Sequence, residues 1–172
     1  ILHLAKLSDA DPRCGRTKLN KLLFYIDFRA YERLGAPVSG QVYRKREFGP
    51  TPEAFMPAVR ALERDGTCAW VEGCWHDRPL KRLVALREPD LSLFQEEELE
   101  LVRAVVNEFL DCDAREISAR SHRFAGWQAA HPGEEIPYQM VFVDDARPLS
   151  PEEEDWASTL LGEYLGKKTV AG

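Results

Sequence analysis

Leu19, Leu22, Leu23, Ile26 and Ala30 recur at the three- and four-residue spacing of one helix face, beginning just after Gly15 and Thr17. The pattern predicts a helix that ends near Gly35. Phe24, Phe28 and Tyr31 repeat at the same spacing beside Tyr25, so this helix carries a second apolar stripe. A helix apolar nearly all round is either buried on both sides or in contact with a partner, and the pattern alone leaves both open. Past a turn at Gly35 to Gly40, positions 41–48 alternate as a short strand with the cationic stretch Arg44-Lys45-Arg46. Phe48-Gly49-Pro50-Thr51-Pro52 reads as a sharp break, with Thr51 as cap and Pro52 at the first position of a helix over 52–65. Pro57 either kinks that helix or marks its true start. Two strands follow at 67–72 and 80–86, joined by a longer loop into a hairpin.

The chain continues in a helical register. Ser92-x-x-Gln95 resembles a capping box, and Leu99, Val102, Val106 and Phe109 share one face up to about Leu110, with Glu96, Glu97 and Glu98 where a helix dipole favours anions. Asp113 and Glu116 form a second box, opening a helix through Ile117, Ser121 and Phe124 toward Trp127. Ile136-Pro137-Tyr138 is expected to be extended, and Met140 to Val143 to form a strand or lie across the core. A last helix, carrying Trp156, Leu160 and Tyr164, is expected within 146–172, docked on a domain of residues 1–145. The sum is a mainly helical α+β single domain with a small antiparallel sheet or hairpin.

A chain of 172 residues buries ~70% of its unfolded surface in one core and folds without metal or disulfide. With 44% hydrophobic and 30% charged residues it is neither a disordered tail protein nor a coiled coil. The net charge of −6 offers nucleic acid no general attraction, but it is unevenly spread. Residues 1–87 hold 16 basic and 10 acidic side chains, and residues 88–172 hold 7 and 19. No apolar run approaches the ~18–20 residues that cross a bilayer, and Ile1 to Leu7 is too short for a secretory core. A cytoplasmic protein is expected, with a few natural residues before Ile1, since the chain opens without Met inside an apolar pattern. Cys14, Cys68, Cys74 and Cys112 contain no C-x-x-C pair and read as reduced thiols.

Chemistry is sparse. Cys68, Cys74 and His76 fit no standard zinc spacing, and neither metal nor cofactor is expected. No phosphate-binding loop occurs. Ser118 and His122, at i and i+4, face one another on a helix, as a satisfied buried pair or, if both opened onto a pocket, as the kernel of a hydrolase. No G-x-S-x-G elbow accompanies them. The 52–65 helix and the basic hairpin with Arg78, Lys81 and Arg82 suggest a nucleic-acid-binding transcriptional regulator. However, a helix-turn-helix needs two helices where only one fits. Tyr43, Arg44, Lys45 and Arg46 could meet nucleic acid or an acidic protein.

Three segments together resemble the Panacea domain, the SocA-like antitoxin family of bacterial and phage toxin–antitoxin pairs. They are Thr17-Lys18-Leu19-Asn20-Lys21-Leu22-Leu23-Phe24-Tyr25; Phe48-Gly49-Pro50; and Ser118-x-x-Ser121-His122 with Trp127, followed by Ile136-Pro137-Tyr138. The resemblance implies a non-enzymatic antitoxin that neutralises a toxin encoded beside it by direct binding, one family member acting instead as an adaptor to a protease. Nucleic acid and membrane are not expected partners. Physical reading of the residues nominates Phe24, Tyr25, Phe28, Tyr31, Tyr43, Arg44, Lys45 and Arg46 for the partner surface. The motif residues Lys18, Leu19, Lys21, Leu22, Leu23, Gly49, Pro50, Ser118, His122, Trp127, Ile136 and Pro137 are expected in the core.

Overall fold

In the computed structural model, residues 1–76 and 78–144 are described. The helix expected within 146–172 lies outside the described residues. A short helix α1 (Leu2–Leu7) leads to α2 (Arg16–Leu34), the longest element among the described residues, which ends at Gly35 in the left-handed conformation with its amide on the Tyr31 carbonyl. Each stripe of α2 has its own half of the core. Leu19, Leu22, Leu23, Ile26 and Ala30 pack with Leu4, Phe55, Val59, Leu83, Val105 and Ile117, while Phe24 and Phe28 pack with Tyr43, Phe124, Ile136 and Val141. The aromatic half is edge-on, with centroids 5.3 Å apart for Phe24–Phe124 and Phe28–Tyr43, the spacing that aromatic quadrupoles favour.

The break expected at 48–52 is instead a second strand. β1 (Tyr43–Arg46) pairs antiparallel with β2 (Gly49–Pro52), from Tyr43 opposite Pro52 to Arg46 opposite Gly49. Two prolines are tolerated in β2 because it is an edge strand whose missing N–H groups leave no ladder gap. Gly49, at φ +100°, opens β2 directly after the turn at residues 47–48, and Thr51 caps nothing. α3 (Phe55–Arg64) therefore starts later than expected, placing Pro57 in its first turn, where amides lack helical partners anyway. The other edge of β1 is covered by 133–136: the Lys45 amide donates to the Glu134 carbonyl at 2.9 Å and the Ile136 amide to the Tyr43 carbonyl at 2.8 Å.

β3 (Cys68–Trp75) and β4 (Arg78–Ala85) run in register as far as Trp75 opposite Arg78, well into the stretch expected to be a loop. Helix α4 (Glu96–Glu108) is boxed by Gln95 and Glu98, not by Ser92 and Gln95; α5 (Ala114–Ser121) is boxed by Asp113 and Glu116 as expected. The helix expected to run on to Trp127 breaks at His122–Phe124 into α5 and α6 (Ala125–Ala129). Met140–Val143 is no strand. A 3-10 turn at Tyr138–Met140 passes into α7 (Val141–Asp144), a short apolar run that periodicity cannot assign. The described residues thus form a mainly helical α+β domain with two two-stranded antiparallel sheets.

Candidate partner-binding groove

The first turns of α2 and α5 and the β3–β4 hairpin enclose a groove of about 1000 Å³. Trp70, Trp75 and Leu80 of the hairpin, with Met56 and the 60% exposed Phe48, supply its apolar wall. Arg13, Arg16, Arg78, Lys81 and Arg115 supply the charge, against Asp113 alone. The Asp113 carboxylate accepts the Arg115 and Glu116 amides at 2.8 Å as the cap of α5. Arg13 is braced, donating to the Leu110 carbonyl at 2.7 Å and lying 5.6 Å from the Trp75 ring centroid. Lys81 pairs with Glu72 at 3.3 Å, whereas exposed Arg16, Arg78 and Arg115 make no ion pair among the described residues. A smaller recess of about 300 Å³ shares Arg16, Thr17, Phe48 and Met56 and adds Arg44 and Arg46, extending the basic strip.

The residues nominated from sequence do not form one outward patch. Phe24, Phe28 and Tyr43 are 2%, 3% and 1% exposed, which withdraws them from the surface: the second stripe of α2 is core. Tyr43 donates its hydroxyl to buried Asp27 at 2.7 Å, and Ser39 donates its amide to the same carboxylate. Burial pushes the Asp27 carboxyl up, against these hydrogen bonds. Tyr25 and Tyr31 are half-buried, stacked on Phe109 at 4.4 Å and Tyr138 at 5.5 Å. Arg44 pairs with Glu53 at 3.1 Å, and Lys45 sits 4.4 Å over the Trp127 ring while donating to the Ala130 carbonyl at 2.9 Å. Arg46 is exposed.

Leu19, Leu22 and Leu23 are buried, and so are both lysines of the α2 motif. The Lys18 ammonium donates to Asp11 at 2.5 Å, to the Leu110 carbonyl at 3.0 Å and to the Cys112 carbonyl at 2.6 Å, filling its three sites. Burial would raise the Asp11 carboxyl, but the bonds from Lys18 and Arg13 outweigh it and hold it low. Lys21 donates to the Pro50 carbonyl at 2.6 Å, and burial pulls it from 10.5 down to about 7. Gly49 and Pro50 are buried, and a Cβ on Gly49 would stand 2.3 Å from Ser121 Oγ and 2.9 Å from Lys21 Cε.

His122 and Trp127 are not core. Both are half-buried, stacked at 4.1 Å with planes 12° apart, and Trp127 donates to the Arg46 carbonyl at 3.1 Å. Of the last block, Ile136 is buried but Pro137 is exposed. Ser118 is 6% exposed and borders the groove with His122, yet Ser118 Oγ and His122 Nε2 each lack a hydrogen-bond partner. The nucleophile–base bond a hydrolase requires is therefore not made. Burial lowers the His122 imidazole, aided by the charge of Lys21 and opposed by a backbone bond to Glu47. Among the described residues no three His, Cys, Asp or Glu are placed to hold a metal ion, and no helix is long and apolar enough to cross a membrane.

Sequence reasoning missed the groove itself. Its walls come from stretches around residues 13–17, 48–56, 70–81 and 113–122, and the basic surplus before residue 88 was the signal pointing to it. Fold and groove together define a small α+β scaffold with a large basic, aromatic-walled recess. Residues 19–128 match the family model described as antitoxin SocA-like, Panacea domain. The chain belongs to this family, which supports an antitoxin role and suggests a non-enzymatic one. The matched stretch holds the α2 leucines, Gly49-Pro50, Ser118, His122 and Trp127, and stops short of Ile136-Pro137. Comparison with curated proteins and with solved structures returned no match.

Proposed function

We propose that this protein is a cytoplasmic antitoxin that neutralises a toxin encoded by the neighbouring gene through direct protein–protein binding. The observation that carries the reading is the family match over residues 19–128. The unmade Ser118–His122 bond agrees with it, because a recognition scaffold needs surface and not a reactive centre. Delivery of the toxin to a protease would begin with the same binding step. The test is a growth assay in which the neighbouring reading frame is expressed alone and beside this protein. Arrest by the neighbour alone, relieved on co-expression, with a complex that co-elutes from a sizing column, is the expected result. A neighbour that is harmless alone, or still lethal beside this protein, ends the reading. Loss of relief in a protease-deficient host, with the complex intact, would assign the adaptor route.

A further inference from the structure

Resting on that antitoxin reading, we propose that the groove between the β3–β4 hairpin and the first turns of α2 and α5 is the toxin-docking site, and that it takes an acidic amphipathic segment anchored by an apolar side chain. Its volume of about 1000 Å³ is at the upper end of the ~300–1000 Å³ range that holds drug-sized ligands, room for a large anchor and the turn of backbone that carries it. Trp70, Trp75, Met56 and the exposed Phe48 leave an apolar wall in water, which is uncommon on a surface without a partner. Trp, Met and Arg are also the residue types that interfaces concentrate.

The rim decides the chemistry of the occupant. Arg16, Arg78 and Arg115 have no ion pair among the described residues, so the groove offers uncommitted guanidinium forks that match carboxylates two oxygens at a time. The first turn of α2 adds to this. Its N-cap is Gly15, with no side-chain cap, and its positive dipole end opens beside Arg16. A nucleic acid would also seek cations and rings, but it is a polyanion facing a chain of net charge −6, which repels it at long range. A protein segment with a few carboxylates beside an apolar anchor meets only the local field.

The experiment uses the full chain, the neighbouring gene's product, and overlapping synthetic peptides tiled across that product. Tryptophan fluorescence sums Trp70, Trp75, Trp127 and Trp156, and Trp70→Phe/Trp75→Phe isolates the share that comes from the groove. One or more acidic peptides with an aromatic or aliphatic anchor should bind and shift the emission. The double substitution Arg78→Glu/Arg115→Glu should weaken that peptide and the whole toxin by roughly tenfold or more and abolish growth rescue. Circular dichroism checks that the variant is folded, and Arg33→Glu, exposed at the far end of α2, should behave as wild type. A folded groove variant that binds and rescues like wild type overturns the docking site while leaving the antitoxin reading intact. A wild type that fails to rescue overturns the antitoxin reading, and the proposal with it. Tighter binding of a duplex oligonucleotide, of a second copy of the chain, or of a peptide of this chain's own residues 151–165 assigns the groove to that occupant and overturns the proposal.

Discussion

Lys21 makes stability depend on pH in a direction opposite to the usual salt-bridged lysine. Its side chain is 1% exposed, its ammonium has one carbonyl within reach at 2.6 Å, and burial brings it from 10.5 down to about 7. Between those two values the unfolded chain holds a proton that the native chain has released, so stability rises with pH across that window. Below about pH 7 both states are protonated, the full penalty of burying the charge is present, and this group adds no slope. At ~1.36 kcal/mol per pH unit the whole window is worth about 4 to 5 kcal/mol, of which about half falls between pH 7.5 and 9.5. Lys21→Met keeps the apolar stem and removes the titration. Urea unfolding of both proteins across this range reads the effect, and the difference between their slopes cancels the buried thiols Cys14 and Cys68, which titrate in both. The variant should lose about 2 to 3 kcal/mol of pH-dependent gain, yet be no less stable than wild type near pH 6. There the removed charge offsets the ~1–3 kcal/mol of leaving the Pro50 carbonyl unmatched. Parallel slopes would mean that Lys21 titrates as an exposed amine and would refute the argument from burial.

Other substitutions follow from the same interior. Lys18→Met should cost about 2 to 3 kcal/mol in urea unfolding, because Asp11 keeps Arg13 as a cationic partner while the Cys112 carbonyl loses the Lys18 donor; an unchanged urea midpoint would contradict it. Gly49→Ala forces a side chain into φ +100° and against Ser121 Oγ, so a loss above ~2 kcal/mol is expected; an unchanged melting temperature would contradict the close packing there. Trp127→Ala should stay well under the ~3–5 kcal/mol of a fully buried tryptophan, since the ring is half-buried between His122 and Lys45, and calorimetry distinguishes the two.

What could be read from sequence was local. The three- and four-residue spacing of Leu19, Leu22, Leu23 and Ile26 specifies α2, and Asp113 with Glu116 specifies the start of α5, because both signals act within one or two turns. The fate of Phe24 and Phe28 was ambiguous because it depends on Phe124 and Ile136, about a hundred residues away, closing over them. β2 was hidden for another reason: Gly49-Pro50-Thr51-Pro52 has the composition of a break, and only pairing with β1 makes it a strand. The groove depends on four separate stretches meeting, and no window on the sequence contains it.

The two motif lysines connect the interior to that groove. Lys18 and Lys21 are one helical turn apart on α2, and each ammonium reaches backbone carbonyls of a different segment: Leu110 and Cys112 in the loop before α5, and Pro50 in strand β2. Those segments lead into part of the groove's lining, since Cys112 immediately precedes the Asp113 cap and Arg115, while Pro50 is two residues from Phe48. A leucine at either position would avoid the cost of burying a charge, and apolar replacements of buried ions are often the more stable choice. What it would not supply is a donor at the end of a four-carbon stem, holding a backbone carbonyl at 2.6 Å from the helix axis side. The stability forgone at Lys18 and Lys21 therefore helps to fix where Arg115 and Phe48 stand relative to α2, and a preorganised surface loses less conformational entropy on binding.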